Sequence, residues 1–80
     1  MSQGREFTWT SADFSRVQAL IYKHAGISLH DGKHAMVYSR LSRRLRETGY
    51  ESFDAYLTWL EKQGDAREWQ ELVNALTTNL

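Results

Sequence analysis

Cysteine and proline are both absent from this 80-residue sequence, and long apolar runs are absent as well. The lack of cysteine excludes disulfide bonds, thiolate metal sites and a cysteine nucleophile. No segment approaches the roughly 20 apolar residues that a bilayer-spanning helix needs. The N-terminal stretch also lacks the basic region and apolar region of a secretory signal. These absences predict a cytoplasmic protein that does not insert into a membrane.

The short length limits the chemistry that the chain can perform. Domains commonly run to about 100–150 residues, and a chain of this size buries only about 60% of the surface that its unfolded form exposes. There is no room for a cofactor-binding α/β sheet in addition to the core, and no glycine-rich phosphate loop or hydrolase motif occurs. We therefore predict no catalytic residue, and any complex chemistry has to come from a partner or from further sequence.

Apolar residues recur at helical spacing in four segments, which predicts four helices. We expect these helices over residues 12–25, 32–48, 53–63 and 65–77. The candidate N-caps are Ser11, Asp31, Ser52 and Asp65. Three of the segments are followed by a glycine, where a helix needs a left-handed residue: Gly26, Gly49 and Gly64. Four helices joined by short turns form a compact all-α bundle or array.

The chain divides into a tail and one helical domain, and its three histidines need a separate interpretation. Residues 1–11 are expected to form a flexible N-terminal tail, and residues 12–78 the helical domain. His30 and His34 are four residues apart, but zinc needs further ligands, so no metal site is predicted. We interpret both as solvated residues of a first helical turn, and His24 as a half-buried packing residue.

The charges are unevenly distributed although the formal net charge is zero. The segment from 33 to 46 holds five basic residues and no acid, whereas the segment from 47 to 71 carries most of the carboxylates. The basic residues are Lys33, Arg40, Arg43, Arg44 and Arg46. Helices that need only solubility usually place glutamate four residues before lysine or arginine. The missing alternation favours an anionic macromolecular partner over a merely solvated face.

The second predicted helix is amphipathic in a specific way. Its apolar residues Val37, Leu41 and Leu45 occupy one side, and three arginines recur every third residue on the opposite side. Lys33 and Arg44 lie at the border with the apolar side. Arginine can bind carboxylates or phosphates bidentately through its planar guanidinium.

Two other functions compete for this basic face. A nucleic-acid-binding module could grip phosphates with it, but zero net charge and few asparagine or glutamine residues on that face argue against this. A regulatory surface that recruits another signalling protein is the second alternative.

Three motifs occur together in this sequence: Gly-Ile-Ser-Leu at 26–29, Arg-Leu-Ser-Arg-Arg-Leu-Arg at 40–46, and Leu-Thr-Thr-Asn at 76–79. In this combination the sequence resembles the N-terminal helical domain of the CheR methyltransferases. The resemblance extends from about Phe14 to Leu80. CheR enzymes use S-adenosyl-L-methionine to methylate glutamates of methyl-accepting chemotaxis receptors.

The resemblance implies a division of labour. This all-α domain precedes a Rossmann-like catalytic domain, which is a further expected partner and is absent from the chain. The five basic residues inherit contacts with the acidic methylation helices of the receptor. Asn79 matches an asparagine that contributes to the cofactor pocket, and residues 79–80 correspond to the start of the linker. The resemblance therefore implies a protein-glutamate O-methyltransferase whose isolated helical domain is inactive.

Overall fold

A computed structural model describes residues 7–77, and within this range it contains helices and their connections but no strand. Helix α1 spans Ser11–Ala25, α2 His34–Thr48, α3 Phe53–Gln63 and α4 Ala66–Thr77. A short 3₁₀ turn, Asp31–Lys33, leads into α2. The all-α prediction is confirmed, and each predicted boundary lies within two residues of the observed one.

Helix α2 lies at the centre of the fold and packs against each of the other three α-helices. Its apolar residues Val37, Leu41 and Leu45 are fully buried. They meet apolar residues from every neighbour, among them Val17 and Ile21 of α1, Tyr56, Leu57 and Leu60 of α3, and Leu72 and Leu76 of α4. The predicted inward face of α2 is therefore correct, and its opposite face is directed outward.

Three glycines end helices, but for two different reasons. Gly26 and Gly49 have φ of 70° and 86°, the left-handed conformation that the sequence predicted. Gly64 differs, because its φ is −64°. A Cβ atom at this position would lie 2.6 Å from the carbonyl oxygen of Leu60. Gly64 is therefore required by the close approach of the backbone, and the prediction of a left-handed residue there was wrong.

Two of the four predicted N-caps are wrong. Thr10 rather than Ser11 caps α1, forming a reciprocal capping box with Asp13. Asp31 lies inside the 3₁₀ turn rather than before it, and His30 caps that turn through Nδ1. The caps of the last two helices are confirmed: Ser52 Oγ accepts from the N–H of residue 55, and Asp65 Oδ1 from that of residue 68.

The described segment before α1, residues 7–10, packs onto the core, so the prediction of a flexible tail is wrong for these residues, and residues 1–6 of that tail lie outside the described range. Trp9 is only 8% exposed, and its ring lies 4.8 Å from that of Phe53. The Trp9 indole N–H donates to His34 Nδ1 at 3.0 Å, so His34 is a packing and acceptor residue rather than a solvated one. The N–H of Phe7 donates to the Tyr38 hydroxyl at 3.2 Å. An aromatic cluster thus fastens this segment to α2 and α3.

None of the helices over residues 7–77 combines the length and apolar character that a membrane span requires. The same residues contain no group of three or more histidine, cysteine or acidic side chains arranged to hold a metal ion. His24 packs against Trp69 in a parallel stack with 3.5 Å between ring centroids, although it remains exposed rather than half-buried.

Candidate functional site

The five basic residues of the 33–46 segment form the candidate site, and the structure divides them into two groups. Lys33, Arg43 and Arg46 are exposed, whereas Arg40 and Arg44 are partly buried. The division follows from which neighbour each residue meets, because α4 packs along one side of α2. We call the exposed group, Lys33, Arg43 and Arg46, the basic face.

Arg43 belongs to the basic face and makes a defined ion pair. Its side chain is 76% exposed, and its Nε donates to Glu47 Oε2 over a long 3.4 Å. A solvent-exposed pair of this kind contributes about 0.2–1 kcal/mol at most. The guanidinium is therefore available for a better-placed carboxylate.

Arg40 points toward α4 instead of away from the domain. Its Nη1 donates to the carbonyl oxygen of Ala75 at 2.8 Å. Ala75 is in the last turn of α4, where carbonyl groups lack partners within the helix and the helix dipole is negative. Arg40 thus caps the C-terminus of α4, a role that its spacing within α2 did not reveal.

Arg40→Ala is expected to lower the free energy of unfolding by about 1 kcal/mol, because it removes a charge-assisted hydrogen bond to a helix end. Arg43→Ala, which makes the same chemical change at an exposed site, should alter it by less than about 0.5 kcal/mol. Urea denaturation of the two variants provides the comparison. Equal stability of both variants would show that the Ala75 contact does not stabilise the fold.

Arg44 forms a charged cluster with residues of α3 and α4. Its guanidinium contacts both carboxylate oxygens of Glu68, at 2.6 Å and 3.1 Å, and its Nη1 lies 2.9 Å from Glu47. The Tyr56 hydroxyl donates to Glu68 at 2.5 Å. The side chains of Arg44 and Glu68 are only 15% and 10% exposed. Arg44 therefore joins three helices and is largely unavailable for an external partner.

Two pKa shifts follow from this cluster. Burial, and secondarily the hydrogen bond to Glu68, raise the pKa of the Tyr56 hydroxyl far above its ordinary range. Burial alone would lower the pKa of Arg44, but its bonds to Glu68 outweigh that effect and raise it. At neutral pH Tyr56 is therefore a constant donor and Arg44 a constant cation.

Sequence reasoning missed this cluster, although one signal for it was present. Glu68 lies four residues before Leu72 and eight before Leu76, on the buried side of α4. An acid at a core position needs a buried cation, and the α2 segment contains several. A second clamp was missed as well: Arg16 of α1 binds Asp54 at 2.9 Å and Glu61 at 2.8 Å on α3.

A groove runs between α2 and α4 beside the basic face. It is lined by charged and polar side chains, including Arg40, Arg43, Arg44, Glu47 and Glu71. Ala75 is its one apolar lining residue, so the groove has no aromatic or large aliphatic side chain to pack against an adenine ring. This groove therefore does not fit S-adenosyl-L-methionine. Asn79, the residue that the resemblance assigned to the cofactor pocket, lies outside the described range.

Comparison with known proteins identifies the family. The family model described as the CheR methyltransferase all-alpha domain matches residues 12–77 of this chain. The chemotaxis protein methyltransferases of Salmonella typhimurium and Escherichia coli are 52% and 51% identical over 71 residues, which is 89% of this chain. Chemotaxis protein methyltransferase 2 of Pseudomonas aeruginosa is 49% identical over 76 residues, or 95% of the chain.

The chain spans about a quarter of the length of these curated relatives, with 25% of the first two covered and 26% of the third. The matched region coincides with the four-helix domain, from the first turn of α1 to the end of α4. The chain therefore belongs to the family of the CheR methyltransferase all-alpha domain.

Proposed function

We propose that this chain is the receptor-docking N-terminal domain of an S-adenosyl-L-methionine-dependent protein-glutamate O-methyltransferase. Its basic face, Lys33, Arg43 and Arg46, contacts the acidic methylation helices of chemotaxis receptors. The relatives are named as chemotaxis protein methyltransferases, which supports the enzyme class. Docking is supported by one observation above all: Arg43 and Arg46 of α2 and its N-cap residue Lys33 are exposed, and α2 supplies only one carboxylate of its own, Glu47.

The charge at the start of α2 also opposes what helix stability alone would favour. Lys33 is at the N-cap, without a side-chain capping bond, and the first turn of α2 contains no acid. The helix dipole favours acids rather than cations at this end. A cation in this position gains little from its own helix and is well suited to an external anion.

Docking through this face should be weak and dependent on the substrate's charge. Each exposed ion pair contributes only about 0.2–1 kcal/mol. Methylation converts a glutamate carboxylate into a neutral ester and removes one partner of a pair. Product then binds less tightly than substrate, which favours turnover.

The cofactor and the catalytic groups belong to the remainder of the enzyme in this proposal. S-adenosyl-L-methionine supplies the methyl group there, and Asn79 is proposed to contribute to its pocket from the linker. The isolated 80-residue chain is expected to be inactive. A cytoplasmic location places it beside the receptors' methylation helices, and a regulatory protein is a further proposed partner.

Binding of the isolated chain to a cytoplasmic receptor fragment tests the proposal. Arg43→Ala and Arg46→Ala should each weaken binding about two- to fivefold at low salt, because each removes one exposed pair. Lys23→Ala is the control, since Lys23 is an exposed cation in the last turn of α1, on a different helix from the basic face. NMR shift titration is suited to the low affinity.

A receptor fragment with glutamines in place of its methylatable glutamates should bind more weakly and lose its sensitivity to both substitutions. Undiminished binding by an Arg43/Arg46 double alanine variant would refute docking through the basic face. Tighter binding to duplex DNA than to the receptor, lost in that variant, would instead support the nucleic-acid alternative.

A further inference from the structure

We infer that Glu47 is an internal competitor that occupies the basic face in place of a receptor carboxylate and weakens docking. This inference rests on the proposed function and concerns how the same site is regulated. Glu47 is the only acid within α2, and it follows directly on the arginine-rich segment. No feature of the sequence pattern singled it out.

The Glu47 carboxylate reaches two arginines at once. Its Oε1 lies 2.9 Å from Arg44 Nη1, and its Oε2 lies 3.4 Å from Arg43 Nε. The side chain is 48% exposed, so solvent and solutes can reach the carboxylate. An incoming carboxylate that takes the Nε of Arg43 must displace Glu47, and one that binds the Nη atoms instead must accept repulsion from it.

Helix stability does not account for this carboxylate. Glu47 is the second-last residue of α2, where the helix dipole disfavours a negative charge. Its pair with Arg43 has arginine four residues before glutamate, the less favourable order in a helix. Arg44 does not depend on it either, because Glu68 already neutralises that guanidinium at 2.6 Å.

The arrangement gives the basic face two exchanging partners. When a receptor glutamate is charged, it competes with Glu47 for Arg43. When that glutamate has become a neutral ester, Glu47 recovers the guanidinium without competition. Glu47 therefore shortens the lifetime of the docked complex and assists the release of methylated product.

The test compares Glu47→Gln with the wild-type chain for binding to a helical peptide that carries several glutamates along one face. We expect Glu47→Gln to bind the peptide about two- to fivefold more tightly at low salt. This is the contribution of the one or two exposed ion pairs that the peptide can form once the Glu47 charge is removed. Glu51→Gln is the matched control, because Glu51 is exposed, makes the same change in net charge and is in the loop after α2. Glu51→Gln should change the affinity for the peptide by no more than about a third of the change caused by Glu47→Gln.

The competing role for Glu47 is to orient Arg43, and it predicts the opposite sign. Weaker or unchanged binding by Glu47→Gln would therefore overturn the inference. Glu47→Ala, which also removes the hydrogen-bond acceptor, should tighten binding at least as much, and circular dichroism melting verifies that both variants are folded. If the wild-type chain does not discriminate between this peptide and its glutamine counterpart, the proposed function itself fails. If it discriminates but Glu47→Gln gains nothing, only the inference fails.

Discussion

Glu68→Ala is expected to lower the free energy of unfolding by about 3–5 kcal/mol, although it changes a charged residue on a helix. Glu68 is 8% exposed and accepts hydrogen bonds from Arg44 and Tyr56. Its removal leaves a largely buried guanidinium and a buried hydroxyl without their acceptor. Chemical denaturation followed by far-UV circular dichroism provides the measurement.

Glu71→Ala is the matched control, since it removes the same charge one turn later on α4 from an exposed position. It should change stability by less than about 0.5 kcal/mol. Tyr56→Phe, which keeps the ring but loses the donor, should fall between the two. A loss below about 1 kcal/mol for Glu68→Ala would mean that the cluster joining α2, α3 and α4 does not stabilise the fold.

The second large effect is expected from Trp9→Ala, which should cost about 3–5 kcal/mol as a large-to-small change in the core. Trp9 contacts Phe14, Tyr38 and Phe53, and it donates its indole N–H to His34. Trp9→Phe keeps most of the apolar contact but loses that donor, so it should cost about 1–2 kcal/mol.

Thermal and urea denaturation of both Trp9 variants test this expectation. The flexible tail that the sequence suggested would predict no effect from either substitution. A cost below about 0.5 kcal/mol for Trp9→Ala would therefore restore that earlier interpretation and separate residues 7–10 from the core.

The helices could be predicted because their signals are local. Gly26 and Gly49 terminate helices through their own backbone conformation, and Ser52 caps α3 within a few residues of its own position. The inward face of α2 was equally accessible, because a spacing of three to four residues determines which side chains share a side.

The packing of Trp9 was not predictable in this way. It precedes α1 in an irregular segment, where no periodicity indicates a buried side. Its partners, His34 and Tyr38, are distant in sequence, and only the arrangement of α1 beside α2 brings them together. The histidine was misinterpreted as solvated for the same reason.

The candidate site was predictable as a set but not in its internal division. Helical spacing gives the angle of each arginine around α2, and it gives no information about which angle α4 covers. Arg40 therefore looked equivalent to Arg43, although it holds the Ala75 carbonyl. Arg44 was placed at the border of the apolar side and was still counted with the docking residues, although it holds the Glu68 carboxylate. Of the five residues proposed to meet the receptor, we retain Lys33, Arg43 and Arg46 as the docking set.

Docking through the basic face is tested most directly by exchanging charges across the proposed interface. Arg43→Glu should weaken binding to an acidic receptor fragment at low salt about two- to thirtyfold, more than Arg43→Ala does, because repulsion replaces attraction. A receptor fragment with lysine in place of one methylatable glutamate should restore binding of this variant, and should bind it better than it binds the wild-type chain. Raising the salt to about 1 M, where the Debye length is about 3 Å, should remove both effects. Wild-type affinity in the Arg43→Glu variant, with no gain from the lysine-bearing receptor, would contradict the docking assignment.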